Sequence, residues 1–267
     1  MKEYKMIKKF NTFHLVTSRP WPLLSSIQIS RLIYIVTYNN NMSQTKINNI
    51  TILIILIIIP LYWWKNIIKE TNKEGIHFKK IIKGLKIGII LFIISEIMFF
   101  LSFFWAYFHI RIRPNIEIGQ LWPPIEIKSF NPTNVPLLNT IILIRSGFSI
   151  TWSHHLILEN KIKKAYITLK ITFMLGAYFS ILQIIEYYQA EFSLNDSFYG
   201  TIFFIATGFH GIHVLIGSTF ILINIIIIKK KYLTKNHHIG FEISAWYWHF
   251  VDIIWLFLYL AVYWWRV

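Results

Sequence analysis

The sequence predicts an all-α, polytopic membrane protein with seven transmembrane helices, on three observations. Long apolar runs recur, such as 87–104 and 199–228, and about 20 apolar residues suffice to cross a hydrocarbon core of roughly 30 Å. Only 15% of the residues are charged, against roughly 25% in a soluble domain. The cations also fall on one side of the predicted spans. With the N-terminus inside, segments 1–20, 65–83, 159–164 and 229–242 hold 18 Lys and Arg residues, whereas 39–46, 109–134, 188–199 and 266–267 hold 5. That asymmetry is the positive-inside pattern of short loops. It gives the +15 net charge a topological meaning and removes the case for a nucleic-acid partner.

The spans follow in order as one transmembrane domain over 1–267. The first, 21–38, is the weakest, because Ser25, Ser26, Gln28, Ser30 and Arg31 interrupt it. Omitting it would place the N-terminal cations outside and weaken the asymmetry. The second, 47–64, carries Pro60 and ends on Trp63 and Trp64 at an expected interface. The third, 84–108, is broken only by Lys86, Ser95, Glu96 and Ser102, and the fourth, 135–157, contains Arg145, His154 and His155. The fifth and sixth are 165–187 and 200–228, and the seventh, 243–265, ends on Tyr263, Trp264 and Trp265. Helices are expected despite the β-propensity of isoleucine, because backbone groups in lipid must be satisfied within the segment. These runs lack the alternation of a membrane β-strand.

Between the third and fourth spans, Pro114, Pro123, Pro124 and Pro132 surround Trp122. Such proline spacing restricts the backbone and predicts an ordered cap over the outer face. The first ten residues hold four Lys and one Glu and lead into no apolar h-region, so no cleaved secretory signal is expected. Cysteine is absent, which excludes disulfides and thiolate-ligated clusters.

Ionisable groups at membrane depth are costly, and each is a functional candidate. Glu96 reads as the sole carboxylate near the middle of a span. Burial in a dry bundle favours its neutral, hydrogen-bond-donating form, with Ser95 as a candidate anchor. Two readings stay open for it: a proton-handling group, or a structural interhelical hydrogen bond. His210 and His213 are three apart and share a helical face, with His249 and Asp252 as conceivable further ligands. Satisfied core or headgroup histidines explain them more simply, so no metal site is expected: no haem, and no stoichiometric copper or zinc. Glu186 reads as a charge at a membrane interface, Arg145 as a snorkelling or paired cation, and the tryptophans, Trp248 among them, mostly as an interfacial belt, with the central Trp255 as packing. These features alone also suit a proton-coupled membrane transporter.

Several motifs carry a resemblance. FHLVTSRPWPLL at 13–24, LFIISEIMFFLSFFWAYFH at 91–109 and LWPPIEIKSFNPTNVPLLNT at 121–140 precede SITWSHH at 149–155. LQIIEYYQAEFSLNDSFYG at 182–200, FFIATGFHGIHVLIGSTF at 203–220 and NHHIGFEISAWYWHFVDIIWLFLYLAVYWW at 236–265 complete the series. In this order and spacing the chain resembles the subunit 3 family of mitochondrial cytochrome c oxidases along nearly its whole length. The resemblance implies a bundle of two helices and then five around a cleft that holds structural phospholipids. It implies contact with subunit 1 and other oxidase subunits, haem and copper in those partners, and no catalytic residue or cofactor in this chain. It also implies the mitochondrial inner membrane, with the N-terminus in the matrix and the C-terminus in the intermembrane space. The family's carbodiimide-reactive carboxylate falls on Glu96, and its role is to support proton uptake, stability and turnover lifetime. Lipid contacts are implied at Trp64, Glu70, His77 and His213, and at Lys229 and Lys230. These last follow Ile225–Ile228, where relatives commonly place an arginine, and Lys65 and Lys69 likewise stand where relatives favour arginine. Lysine can neutralise a phosphate but lacks the bidentate guanidinium fork.

Overall fold

A computed structural model describes residues 18–38, 46–69, 79–114, 122–124, 127–235 and 238–265. Seven helices run through them: α1 (Trp21–Tyr38), α2 (Lys46–Lys69), α3 (Lys79–Ile112), α4 (Val135–Leu158), α5 (Ile162–Gln189), α6 (Phe198–Lys229) and α7 (Ile239–Leu258). A π-helical turn, Tyr259–Trp264, continues α7. Most helices outrun the apolar spans that announce them, most clearly α3, which takes in Lys79, Lys80, Lys83 and Arg111. Hydropathy marks only the stretch suited to hydrocarbon. Lysine and arginine stems can continue a helix into the headgroup layer while their charged ends reach water.

The chain divides into two compact units, Met1–Leu85 and Lys86–Val267. In the first, α1 packs on α2, and the Trp21 and Tyr62 rings stack with centroids 6.0 Å apart. The serines that weaken the first span do not need partners from elsewhere. Ser25, Ser26 and Ser30 donate to the carbonyls of Pro22, Leu23 and Ser26 at 2.9, 2.8 and 3.0 Å. Back-bonding of this kind satisfies a hydroxyl inside its own helix. Pro60 is accommodated within α2.

In the second unit α4, α5, α6 and α7 form a four-helix ring, each packing on the next and α7 closing on α4. Helices α3 to α7 are each long and apolar enough to cross a membrane. Hydroxyls join α4 to α5: Ser149 meets Thr172 at 2.7 Å and Ser153 meets Thr168 at 2.6 Å. Small and hydroxylated residues let membrane helices approach closely and hydrogen-bond across the seam. Two indoles of α7 fill the ring. Trp248 Nε1 donates to Ser146 Oγ at 2.8 Å, and Trp255 Nε1 donates to Thr140 Oγ1 at 3.0 Å. Both tryptophans are fully buried: Trp255 packs in the core as its central position predicts, and Trp248 is a core residue as well, not a member of the interfacial belt. Trp64, Trp105, Trp152, Trp264 and Trp265 are the exposed ones.

Helix α3 lies outside this ring and leaves most of its apolar surface exposed. Aromatic contacts attach it: Phe99 meets Phe209 of α6 at 5.0 Å, and Phe100 meets Phe250 of α7 at 6.3 Å, both edge-on. After α3, Trp122 sits edge-on against Tyr107 and Tyr199, which ties the proline-bearing connection to the bundle. Residues 115–121 and 125–126 of that connection lie outside the described residues. In the turn before α6, the Ser193 N–H and hydroxyl donate to Asp196 at 2.5 and 2.8 Å and hold its carboxyl below the usual aspartate range.

Candidate functional site

Glu96 is carried by the most apolar stretch of α3 and reaches across to α6. Its Oε2 lies 3.0 Å from His213 Nε2. On its other side, the His213 ring places Nδ1 2.6 Å from the Phe209 carbonyl, one turn back on α6. A carbonyl only accepts, so Nδ1 carries a proton and donates. One further proton then lies between His213 Nε2 and Glu96. Either a carboxylic acid donates to a neutral imidazole, or an imidazolium donates to a carboxylate. Both arrangements are neutral overall, which suits a site at membrane depth.

Rings enclose the pair. Phe100 lies 5.2 Å from the His213 ring, Phe250 lies 6.0 Å away, and Tyr247 stacks at 6.3 Å. The His213 side chain is 9% exposed and that of Glu96 is 22% exposed. Ser95 is not the anchor that its position suggests, because its hydroxyl donates to Phe92 O at 2.7 Å on its own helix. His210 takes different neighbours from His213 despite their shared spacing. Its Nε2 donates to Val251 O at 3.3 Å, and its ring lies 5.2 Å from Trp255.

Two carboxylates stand differently from their sequence reading. Glu186 is 1% exposed, buried beside the Tyr263 hydroxyl without a well-formed hydrogen bond. Its carboxyl is enclosed by protein near the end of α5 and does not face water. Asp252 lies near the middle of α7 and is also buried, so Glu96 is not the sole mid-span carboxylate. Asp252 Oδ2 is 4.0 Å from His249 Nδ1, and Oδ1 has no partner among the described residues. The signal for it in the sequence is the His–x–x–Asp spacing, which sets the carboxyl beside the His249 imidazole on one helical face. Arg145 lies on an exposed face of α4.

Along α3 and α7 runs an apolar groove of about 480 Å³, lined by Ile93, Ile97, Leu101 and Phe257 among others. A second groove of about 700 Å³ shares Leu101, Phe104 and Phe257 and continues to Trp264 and Trp265. Their aliphatic–aromatic lining suits an acyl chain. Of the residues with implied lipid contacts, Trp64 is partly exposed on α2, and Lys229 and Lys230 are exposed at the end of α6. Glu70 and His77 lie outside the described residues.

A family model described as cytochrome c oxidase subunit III matches residues 11–267. The chain belongs to that family. It is similar to cytochrome c oxidase subunit 3 of Rhipicephalus sanguineus, with 48% identity over 96% of this chain and 99% of the relative. The Drosophila melanogaster protein of the same name is 48% identical over 95% of this chain and 96% of its own length. That of Coturnix japonica is 46% identical over 97% and 99%. Coverage this complete places the Glu96–His213 pair, the buried indoles of α7 and the exposed face of α3 all within the subunit III framework.

Proposed function

We propose that the chain is a non-catalytic core subunit of cytochrome c oxidase, supporting the stability, proton uptake and turnover lifetime of the catalytic subunit. Family membership makes it a subunit of that oxidase. The Glu96–His213 pair carries the finer reading: it holds an exchangeable proton at membrane depth, against an apolar cage that offers no place for bond-making chemistry. Haem and copper belong, on this reading, to subunit 1 and its other partners. Phospholipids occupy the apolar grooves and the headgroup positions near Trp64, Glu70, His77, Lys229 and Lys230. Lysines there can neutralise phosphates at helix ends. A proton-coupled transporter gains no support, since both grooves at membrane depth are apolar-lined, whereas transporters gather polar groups around a midplane site.

Native gel electrophoresis of mildly solubilised membranes, read with a haem spectrum, tests the assignment. The chain is expected in the haem-bearing band, with phospholipid retained there after detergent washing. Migration apart from haem would remove the oxidase reading, and complete lipid exchange at the annular rate would remove the lipid role. The 18-to-5 cation asymmetry supports a mitochondrial inner-membrane orientation with the N-terminus in the matrix and the C-terminus in the intermembrane space. Protease added to sealed vesicles of known sidedness is expected to reach the 65–83 and 109–134 segments from opposite faces. Cleavage of both from one face would contradict seven spans.

A further inference from the structure

At the end of α4 and the start of α7, three side chains far apart in sequence converge. His154 lies near the end of α4, His238 is the residue before α7, and Glu242 lies in the first turn of α7. One ligand-capable atom from each lies within 4.8 Å of the other two. His238 Nε2 is already 3.2 Å from Glu242 Oε1. That is close to the spacing of about 3.3–3.5 Å between ligands of a tetrahedral zinc ion with bonds near 2.0–2.1 Å. The remaining separations need only small side-chain rotations.

The bland account is an ion cluster, because Lys86 Nζ is 2.5 Å from Glu242 Oε2. Lys86 accounts for Glu242 but not for the imidazoles. His154 Nε2 is buried with no hydrogen-bond partner among the described residues. A buried polar atom without a partner calls for an explanation such as an absent ion or water. Lys86 does not satisfy that nitrogen at its present position. The same ammonium already lies 5.8 Å from the Trp246 ring, whose quadrupole attracts a cation.

We propose that His154, His238 and Glu242 bind one divalent transition-metal ion of the zinc class. Two imidazoles and one carboxylate form a borderline donor set, which suits zinc, whereas magnesium and calcium require mainly oxygen ligands. Three protein ligands leave a fourth position for water, as in open, exchangeable zinc sites. Binding displaces Lys86 from Glu242 towards Trp246 and fastens the end of α4 to the start of α7. This site runs against the absence of metal that histidine spacing alone suggests, because its ligands are separated by 84 residues between the two histidines. It is redox-inert, and it is independent of the Glu96–His213 pair.

Intact oxidase, equilibrated with micromolar zinc chloride and freed of excess metal, tests the site directly. An anomalous difference map at the zinc edge is expected to show a peak between His154, His238 and Glu242. A map with peaks elsewhere and none here overturns the proposal, whatever the behaviour of variants. In assembled complex, His154→Asn is expected to lose one zinc equivalent by elemental analysis, with haem content unchanged. Lys86→Met, which frees Glu242 from its competitor, is expected to bind zinc more tightly than the parent. Unchanged zinc stoichiometry in assembled His154→Asn, or weaker binding in Lys86→Met, counts against a metal site and favours the ion cluster.

Discussion

Gly176→Val is expected to prevent stable assembly of the subunit, and Gly176→Ala to weaken it measurably. A Cβ on Gly176 would lie 2.6 Å from Trp248 Cη2 and 3.1 Å from both Trp248 Cζ2 and Ser218 Oγ. The indole cannot withdraw towards Gly217, where an added Cβ would itself lie 2.8 Å from Trp248 Cε3. Nor can it swing freely, because its N–H is held by Ser146. Overpacking a filled core costs about 1–3 kcal/mol for small additions and more when the neighbour is locked. The gain of about 1 kcal/mol in helix propensity on replacing glycine by alanine offsets part of that. Gly211 supplies the control: a Cβ there meets nothing within 4 Å, so Gly211→Ala is expected to be neutral or slightly stabilising. Assembled complex on a native gel, followed through a thermal ramp by its haem spectrum, ranks the variants. Equal behaviour of Gly176→Ala and Gly211→Ala would show that the approach of α5 to α7 is looser than these distances imply.

The contrast between these glycines marks how far the sequence can be read. Helix α1 was legible in spite of its serines, because charge asymmetry required a span there, while the back-bonding that makes those serines tolerable shows only in three dimensions. Hydropathy located α3 but not its ends, since it does not register a helix that continues past the hydrocarbon on lysine and arginine stems. Glu96 was legible as a lone cost in an apolar run, and His213 as a separate candidate. Their pairing was not, because they lie 117 residues apart on helices whose facing sides no periodicity in this chain reveals. A helix exposed to lipid and a helix buried in protein are both apolar all round, so the usual amphipathic stripe is missing. The same blindness hid the burial of Trp248 and of Glu186. Both readings rest on position along the span, whereas burial depends on which neighbour stands opposite.

Glu96→Gln is expected to leave assembly, haem content and initial oxygen consumption nearly intact, and to change proton uptake, pumping efficiency or survival through many turnovers. The reason lies in His213, whose Nδ1–H is committed to the Phe209 carbonyl. Nε2 of a neutral His213 is therefore an acceptor, and a glutamine amide can donate to it much as a carboxylic acid does. The contact survives while the transferable proton is lost. Glu96→Leu separates geometry from hydrogen bonding, because it leaves Nε2 unpartnered inside its ring cage. An orphaned buried acceptor costs about 1–3 kcal/mol, so this variant is expected to assemble less well than Glu96→Gln. Placing an ion pair in this cage would require desolvating two charges, so the neutral pairing is the expected resting state. Difference infrared spectra of the intact complex should then show a carboxylic-acid carbonyl band that disappears in Glu96→Gln. A carboxylate band in its place would assign the proton to His213. Intact complexes reconstituted in vesicles, measured for proton release, oxygen consumption and subunit stoichiometry together, decide the role. Immediate loss of all oxidase activity in a fully assembled Glu96→Gln complex would contradict a supporting function. Unchanged proton behaviour and turnover lifetime across pH would leave the pair as a hydrogen bond that fastens α3 to α6.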